Sequence, residues 1–424
     1  MKGRYPSLDG FRGFAALLVV LNHINGFSEK NWVLNQLSLP LLQQAYDTLA
    51  AGATGVQIFF VLSGFLIAFF YAEVRHPLAF IQKRYTRIFP VFITVVTFLW
   101  IVSLSKYTAK TYMQVLLLPL IVVGAHFLWK YIKRTKSALT RKRIFFMFLF
   151  VQTIALLFAI SNQYHIVHIP KVKPQSSLFF LSNSTLTFTM FPLDGYEQVF
   201  WSLVPEVLFY LLYPILIIHL IAFGKRYGAV ASVLFIIFVS GVLLYLDHVI
   251  PALSLGRASS YIAGVVIGTI YYTKSKMWTQ LESILKIPFI NVLILFSFLF
   301  VLWGDMYFRA AYPGVFSLYS LYYFYVSSWI ISLVILASIV PDTLFYKIFS
   351  NKILVFLGLI SFAMYLIHPT TIRWNYALYL HFVHFNHHDA YHIAFTIIFI
   401  TTVITTVAVS YFIHKLVERL YFEK

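Results

Sequence analysis

About a dozen apolar stretches, each long enough to cross ~30 Å of hydrocarbon as a helix of roughly 17–25 residues, constrain this chain more than any other feature. They lie at about 12–27, 52–73, 88–105, 112–130, 144–161, 199–222, 228–246, 257–273, 288–304, 315–340, 352–380 and 391–413 of 424 residues. The expectation is a single all-α domain, residues 1–424, built as a polytopic transmembrane helix bundle of about 12 spans. Composition agrees: 60% of residues are apolar and 11% charged, against about 25% charged for a soluble domain, which excludes soluble globular proteins, disordered chains and coiled coils. The first stretch is short, carries Asn22 and His23, and has no small-x-small cleavage pattern at the usual distance, so it reads as a retained span. There are no cysteines, so disulfides, thiolate nucleophiles and iron–sulfur clusters are out of reach. Any chemistry here uses histidine, carboxylates, hydroxyls or arginine.

The net charge of +18 would suggest nucleic-acid binding if the basic residues formed one solvated patch. Their positions give a different account. With the N-terminus in the cytoplasm, 24 of the 32 Lys and Arg and six of the 14 Asp and Glu fall on the inner face, and eight bases and eight acids fall on the outer one. The whole excess therefore sits inside. That is the positive-inside pattern, and it predicts an even span number, both termini cytoplasmic, contact with membrane lipids and no nucleic-acid partner. The run from Lys130 to Arg143 serves topology and anionic lipid. The longest outer segment, about 162–199, reads as a lid or re-entrant piece over the outer mouth.

Ionisable groups within spans are costly and mark sites by default. Three groups stand out. Arg12 and His23 are eleven residues apart, nearly one helix face, with about 16 Å between them along the axis, and Asp9 precedes Arg12 by three residues and can pair with it. His23 is either an interfacial histidine bonded to a neighbouring carbonyl or a general base suited to a hydroxyl proton. The loop from Gln82 to Pro90 carries Lys83, Arg84 and Arg87, which either anchor the inner face or clamp a phosphorylated cytosolic ligand. Glu206 opens a span from the outside in the segment Trp201-Ser202-Leu203-Val204-Pro205-Glu206, with Tyr210 one turn on. It is either a neutralised structural carboxylate or an acceptor that orients an imidazolium or a substrate hydroxyl.

Other patterns carry less. His384 and Asp389 fit a His-x4-Asp spacing without the context that spacing needs, and His381, His384, His388 and His392 fall at helical steps, yet no metal site is expected. Gly264 and Gly268 form a GxxxG step, which marks close helix packing.

Together these segments resemble the acyltransferase-3 family of integral membrane acyltransferases. The resemblance rests on Ser7-Leu8-Asp9-Gly10-Phe11-Arg12-Gly13 with the Arg-x10-His step to His23, on Phe60-Val61-Leu62-Ser63-Gly64-Phe65, and on Arg84-Tyr85-Thr86-Arg87. It continues through Trp201-Ser202-Leu203 with Glu206 and Tyr210, and late in the chain through Ser361-Phe362-Ala363-Met364-Tyr365-Leu366-Ile367-His368-Pro369. The family's fold has about ten spans, which makes the pair at about 112–161 an inserted hairpin. Resemblance implies transfer of an acyl group, commonly acetyl, from cytoplasmic acetyl-CoA to hydroxyls of sugars across a bacterial inner membrane. The acceptor is thus expected to be an extracytoplasmic glycan or glycolipid. By the same resemblance Arg84 and Arg87, with Lys83, hold CoA phosphates, Arg12 and His23 line the way to the outer half with Asp9 a catalytic candidate beside Arg12, and His23 deprotonates the acceptor or becomes transiently acylated. Glu206 then steadies the imidazolium or the acceptor, while Ser63, Trp201, Tyr210 and His368 are further site candidates. Val204-Pro205-Glu206 stands where the family often has two adjacent acids, so one carboxylate must suffice. No fused hydrolase-like domain is expected. The alternative from another class is a transporter or flippase for a glycan or lipid-linked substrate, although neither internal symmetry nor paired half-helices point to one.

Overall fold

A proline opens the first helix. The missing N–H of Pro6 costs nothing in a first turn, and the Asp9 carboxylate sits in that turn, where the helix dipole favours an anion. In a computed structural model, residues 5–30, 49–71, 77–104, 122–124, 198–214, 216–217, 235, 239, 242, 257–273, 276–311, 318–382 and 390–419 are described. Among them every regular element is helical, with no strand.

Helix α1 (Pro6–Lys30) is followed by α2 (Gly52–Phe70) and α3 (Pro77–Leu104), and then by α4 (Val199–Pro214), which opens in the 3-10 turn Gln198–Ser202. After them come α5 (Ala258–Thr273), the short α6 (Lys276–Leu285), α7 (Pro288–Ala311), α8 (Leu318–Ile339) and α9 (Leu344–Phe349). The last two are α10 (Lys352–Phe382) and α11 (Ala390–Ile413), which runs into a π turn at His414–Glu418.

Four described helical stretches are long and apolar enough to cross a membrane: Gly52–Phe70, Pro288–Asp305, Lys352–Tyr379 and Ile397–Glu418. Val199–Pro214, Ala258–Tyr272 and Tyr323–Ile339 are apolar but shorter. Each coincides with a stretch read from the sequence. The hairpin expected at 112–161 lies outside the described residues except for 122–124, as do most of 228–246 and the outer segment 162–197. On α7, Phe289, Leu293, Phe296, Phe300 and Trp303 form an exposed stripe at steps of three and four, an apolar face that suits lipid and not water.

The chain divides into two compact units. One holds α1, α2, α5 to α10 and α11 as far as Ala408; the other holds α3, α4 and the end of α11 from Val409. In the first unit α1 lies against α10 and α2, and α2 against α5. Glycine makes the first and last of these approaches so close. A Cβ on Gly358 would sit 1.8 Å from the Asp9 carbonyl oxygen, and one on Gly13 would sit 2.1 Å from that of Leu354. At the second seam, a Cβ on Gly264 would lie 2.0 Å from the Val61 oxygen and one on Gly64 2.1 Å from the Tyr261 oxygen. Membrane helices gain stability from such contact because lipid supplies no hydrophobic drive between them. Because backbone meets backbone, no side chain can swing aside. We expect Gly264→Ala to force α2 and α5 apart and cost about 1–3 kcal/mol, the usual range for overpacking. A lowered thermal midpoint in detergent checks this, and an unchanged midpoint would refute the seam.

The unit's interior is apolar, with Phe11, Leu18, Val61, Phe65, Ile331, Ile335 and Phe349 in one cluster. A polar seam runs through it. Ser327 Oγ donates to Gln57 Oε1 at 2.8 Å, Gln57 Nε2 donates to Ser328 Oγ at 2.8 Å, and the Ser260 and Ser328 hydroxyls are 2.8 Å apart. The Thr54 N–H donates to the buried Asp305 carboxylate at 2.8 Å, so a residue of α7 satisfies an orphan donor in the first turn of α2.

Candidate functional site

The Gly13 and Gly358 approach brings α1 and α10 together along a cluster of Ala16, Val20, Ile24, Ile360 and Met364. Two histidines end up in contact there. The rings of His23 and His368 have centroids 4.8 Å apart with planes at 68°, an edge-to-face pair linking residues 345 positions apart.

The hydrogen bonds of these rings fix their tautomers. His23 Nδ1 lies 2.9 Å from the Val19 carbonyl oxygen one turn back, and His368 Nδ1 lies 3.1 Å from that of Met364. A carbonyl only accepts, so both Nδ1 atoms carry hydrogen and the basic atom of each neutral ring is Nε2. Pro369, lacking an N–H, cannot bond the carbonyl one turn behind it, which loosens α10 beside His368. His23 is half-buried, whereas His368 is fully buried and its Nε2 has no hydrogen-bond partner among the described residues. Arg12 lies on α1 three turns before His23 and is half-buried, as is Asp9. Ser63 is half-buried on α2, next to the Gly64 seam.

The second unit holds the other group. Phe80 of α3 meets Tyr213 of α4 with centroids 5.4 Å apart, the Arg84 guanidinium lies 5.9 Å from the Tyr210 ring centroid, and Phe92 meets Phe200 at 5.1 Å. Numbers rise along one helix as they fall along the other, so the pair is antiparallel. The Tyr210 hydroxyl donates to the Glu206 carboxylate one turn earlier. Arg84 also covers the Phe80 ring at 5.7 Å and is only 7% exposed, while Arg87 is half-buried and Lys83 exposed. Trp201 is half-buried in the turn that opens α4, where Ser202 Oγ donates to the Val199 carbonyl at 3.2 Å.

Two expectations change. The Gln82–Pro90 segment is not a loop: α3 begins at Pro77, so Lys83, Arg84 and Arg87 lie on its first turns. Hydropathy marks only the span from residue 88 because three cations dilute the preceding turns, though nothing there breaks a helix. The charge count also puts Arg84 and Glu206 on opposite faces, whereas both flank Tyr210. Of the histidines at 381, 384, 388 and 392, none has a described side chain.

Sequence reasoning placed His368 in a motif but missed its contact with His23. The only available signal was that both lie on helices bearing close-packing glycines, Gly13 and Gly358.

Comparison with known proteins bears on what these groups do. The model of a family described as an acyltransferase domain, that of the acyltransferase-3 family, matches residues 5–415. A protein of Staphylococcus aureus (strain COL) named "putative O-acetyltransferase" is 25% identical over 406 residues, covering 89% of this chain and 52% of its own length. The O-acetyltransferase OatA of Staphylococcus aureus (strain NCTC 8325 / PS 47) is 23% identical over 379 residues, covering 86% of this chain and 50% of its own length. The chain thus spans about half the length of the curated relatives it matches. No solved structure matches it.

Proposed function

We infer that this chain, which belongs to the acyltransferase-3 family, is a membrane O-acetyltransferase that moves an acetyl group from cytoplasmic acetyl-CoA to a hydroxyl of an extracytoplasmic glycan. The carbonyl bond of His23 is one an interfacial histidine would also make, and the observation that carries this reading is its contact with the buried His368 ring inside the family-matched region. The Nδ1–H of His23 is held by the Val19 carbonyl, so Nε2 is the atom that takes a proton, on the same helix as Arg12 and within the matched region.

In this mechanism His23 Nε2 removes the acceptor hydroxyl proton as the oxygen attacks the thioester carbonyl. The carbon–sulfur bond then breaks, and the departing thiolate takes the proton from His23. One proton moves from alcohol to thiol, and the imidazole returns to its starting state. Arg84 and Arg87, cations one helical turn apart, suit the phosphates of CoA, with Lys83 adding charge at the exposed edge. Glu206 acts through Tyr210 and the neighbouring Arg84 to hold that arginine side in place. Arg12, three turns from His23, is too distant to touch the reacting carbonyl and serves the anionic donor on its way along the bundle.

The test is transfer across a bilayer. Proteoliposomes of the purified chain receive acetyl-labelled acetyl-CoA on one side and bacterial cell-wall polysaccharide fragments on the other. We expect alkali-labile label in the polysaccharide, and label that never leaves CoA would overturn the reading.

A further inference from the structure

We propose that His368 is a binding residue for a second hydroxyl of the acceptor, so that the site selects polyols with neighbouring hydroxyls over simple alcohols. The proposal rests on the reading of His23 as the base and names the substrate class of that site.

The argument starts from the hydrogen-bond inventory. Each ring commits its Nδ1–H to the carbonyl one turn back, so each neutral imidazole offers its neighbourhood an acceptor and no donor. Two acceptors cannot bond each other. His368 Nε2 is fully buried without a partner among the described residues, whereas the buried Ser361, Thr370, Thr371 and Asn375 of the same helix are all hydrogen-bonded. A buried acceptor without a donor is unfavourable, so this atom calls for a donor that the chain itself does not supply.

What donates there is close to His23. With centroids 4.8 Å apart, the two rings are in contact, so a small polyol bonded to His368 Nε2 can also reach the imidazole that takes the reacting proton. A hydroxyl has one hydrogen and serves one of these acceptors. Two acceptors in contact match two hydroxyls on adjacent carbons: one surrenders its proton to His23 and becomes the ester oxygen, and the other keeps its proton and donates to His368.

The surroundings agree. Beyond His368, α10 presents buried Thr371 and Asn375 toward the polar face of α11, with the Thr371 and Thr406 hydroxyls 2.6 Å apart and Asn375 Nδ2 donating to Thr405 Oγ1 at 2.7 Å. Thr402, on the same face, has a buried hydroxyl oxygen with no partner among the described residues. Such a polar track suits a ligand with several hydroxyls, and an aliphatic alcohol would leave it unused. The rival occupant is a single water that donates to both rings, which would direct the site to hydrolysis.

The experiment is a competition. Purified protein in nanodiscs receives acetyl-labelled acetyl-CoA with equal concentrations of ethylene glycol and its monomethyl ether, and the two esters are quantified by mass spectrometry. Wild type should favour ethylene glycol about tenfold per hydroxyl, the worth of one hydrogen bond to a buried acceptor. His368→Phe keeps an aromatic ring against His23 but no acceptor, and should lose that preference while still forming both esters. His368→Gln, which restores an acceptor, should recover part of it. Equal use of both alcohols by wild type, a preference that survives in His368→Phe, or free acetate as the sole product each overturns the proposal. Absence of both ester and CoA release would instead sink the acetyltransferase reading itself.

Discussion

Replacing His23 with alanine is expected to lower acetyl transfer by about 10²–10⁴-fold, the usual contribution of a positioned general base. Loss should appear in kcat with little change in KM for acetyl-CoA, because the variant keeps the arginines that hold the donor. His23→Gln is the sharper test. Its carboxamide fills similar space beside His368, yet cannot take a proton near neutral pH, so it should be as inactive as alanine while retaining the thermal midpoint of wild type. Initial rates with labelled donor, alongside a melting curve for each variant, separate lost chemistry from lost packing. A His23→Gln protein within threefold of wild type would refute the proposed role. The same assay without acceptor distinguishes direct attack from a covalent route, since stable label on the protein that requires His23 marks an acyl-histidine.

Some of this was legible in the sequence, for identifiable reasons. The apolar stretches at 52–73, 288–304, 352–380 and 391–413 coincide with the four helices long enough to span, because a run of that length has no soluble way to bury itself. The GxxxG step at Gly264 is a close contact, because a missing Cβ is visible in sequence and only needs a facing backbone. Boundaries were less legible. Helix α3 starts eleven residues before its apolar run, since hydropathy averages out the cations at 83, 84 and 87 while helix formation tolerates them.

Contacts between distant elements were not legible at all. That His368 would meet His23 depends on how α1 and α10 slide along their glycine seam, and no local pattern encodes that register. The same holds for Arg84 and Glu206. Each belongs to a motif, and counting charges per segment separates them, but the antiparallel register of α3 on α4 brings Arg84 to Tyr210, one helical turn from Glu206. A motif names residues that matter, whereas packing decides which of them act together.

That distinction splits the two arginines of the Arg-x-x-Arg motif. Arg84 is 7% exposed and lies over the faces of Phe80 and Tyr210, so its guanidinium is as much a part of the packing as of any ligand site. Arg87, one turn on and half-buried, is the more exposed of the two and the better placed to meet a phosphate. Arg87→Gln should therefore raise KM for acetyl-CoA by about 10–100-fold, the equivalent of one charge-assisted hydrogen bond, with kcat and the melting point little changed. Wild-type KM should also climb with salt, and Arg87→Gln should flatten that dependence because a screened contact has been removed. Arg84→Gln should behave differently. It strips a cation from two aromatic faces and from the neighbourhood of Glu206, so the protein should melt lower as well as bind donor less well. Lysine at 84 should restore little of this, because an ammonium lacks the planar surface that stacks on Tyr210. Should Arg84→Gln leave the melting point untouched while Arg87→Gln leaves KM untouched, the division of labour between them is wrong, and the donor phosphates are held elsewhere.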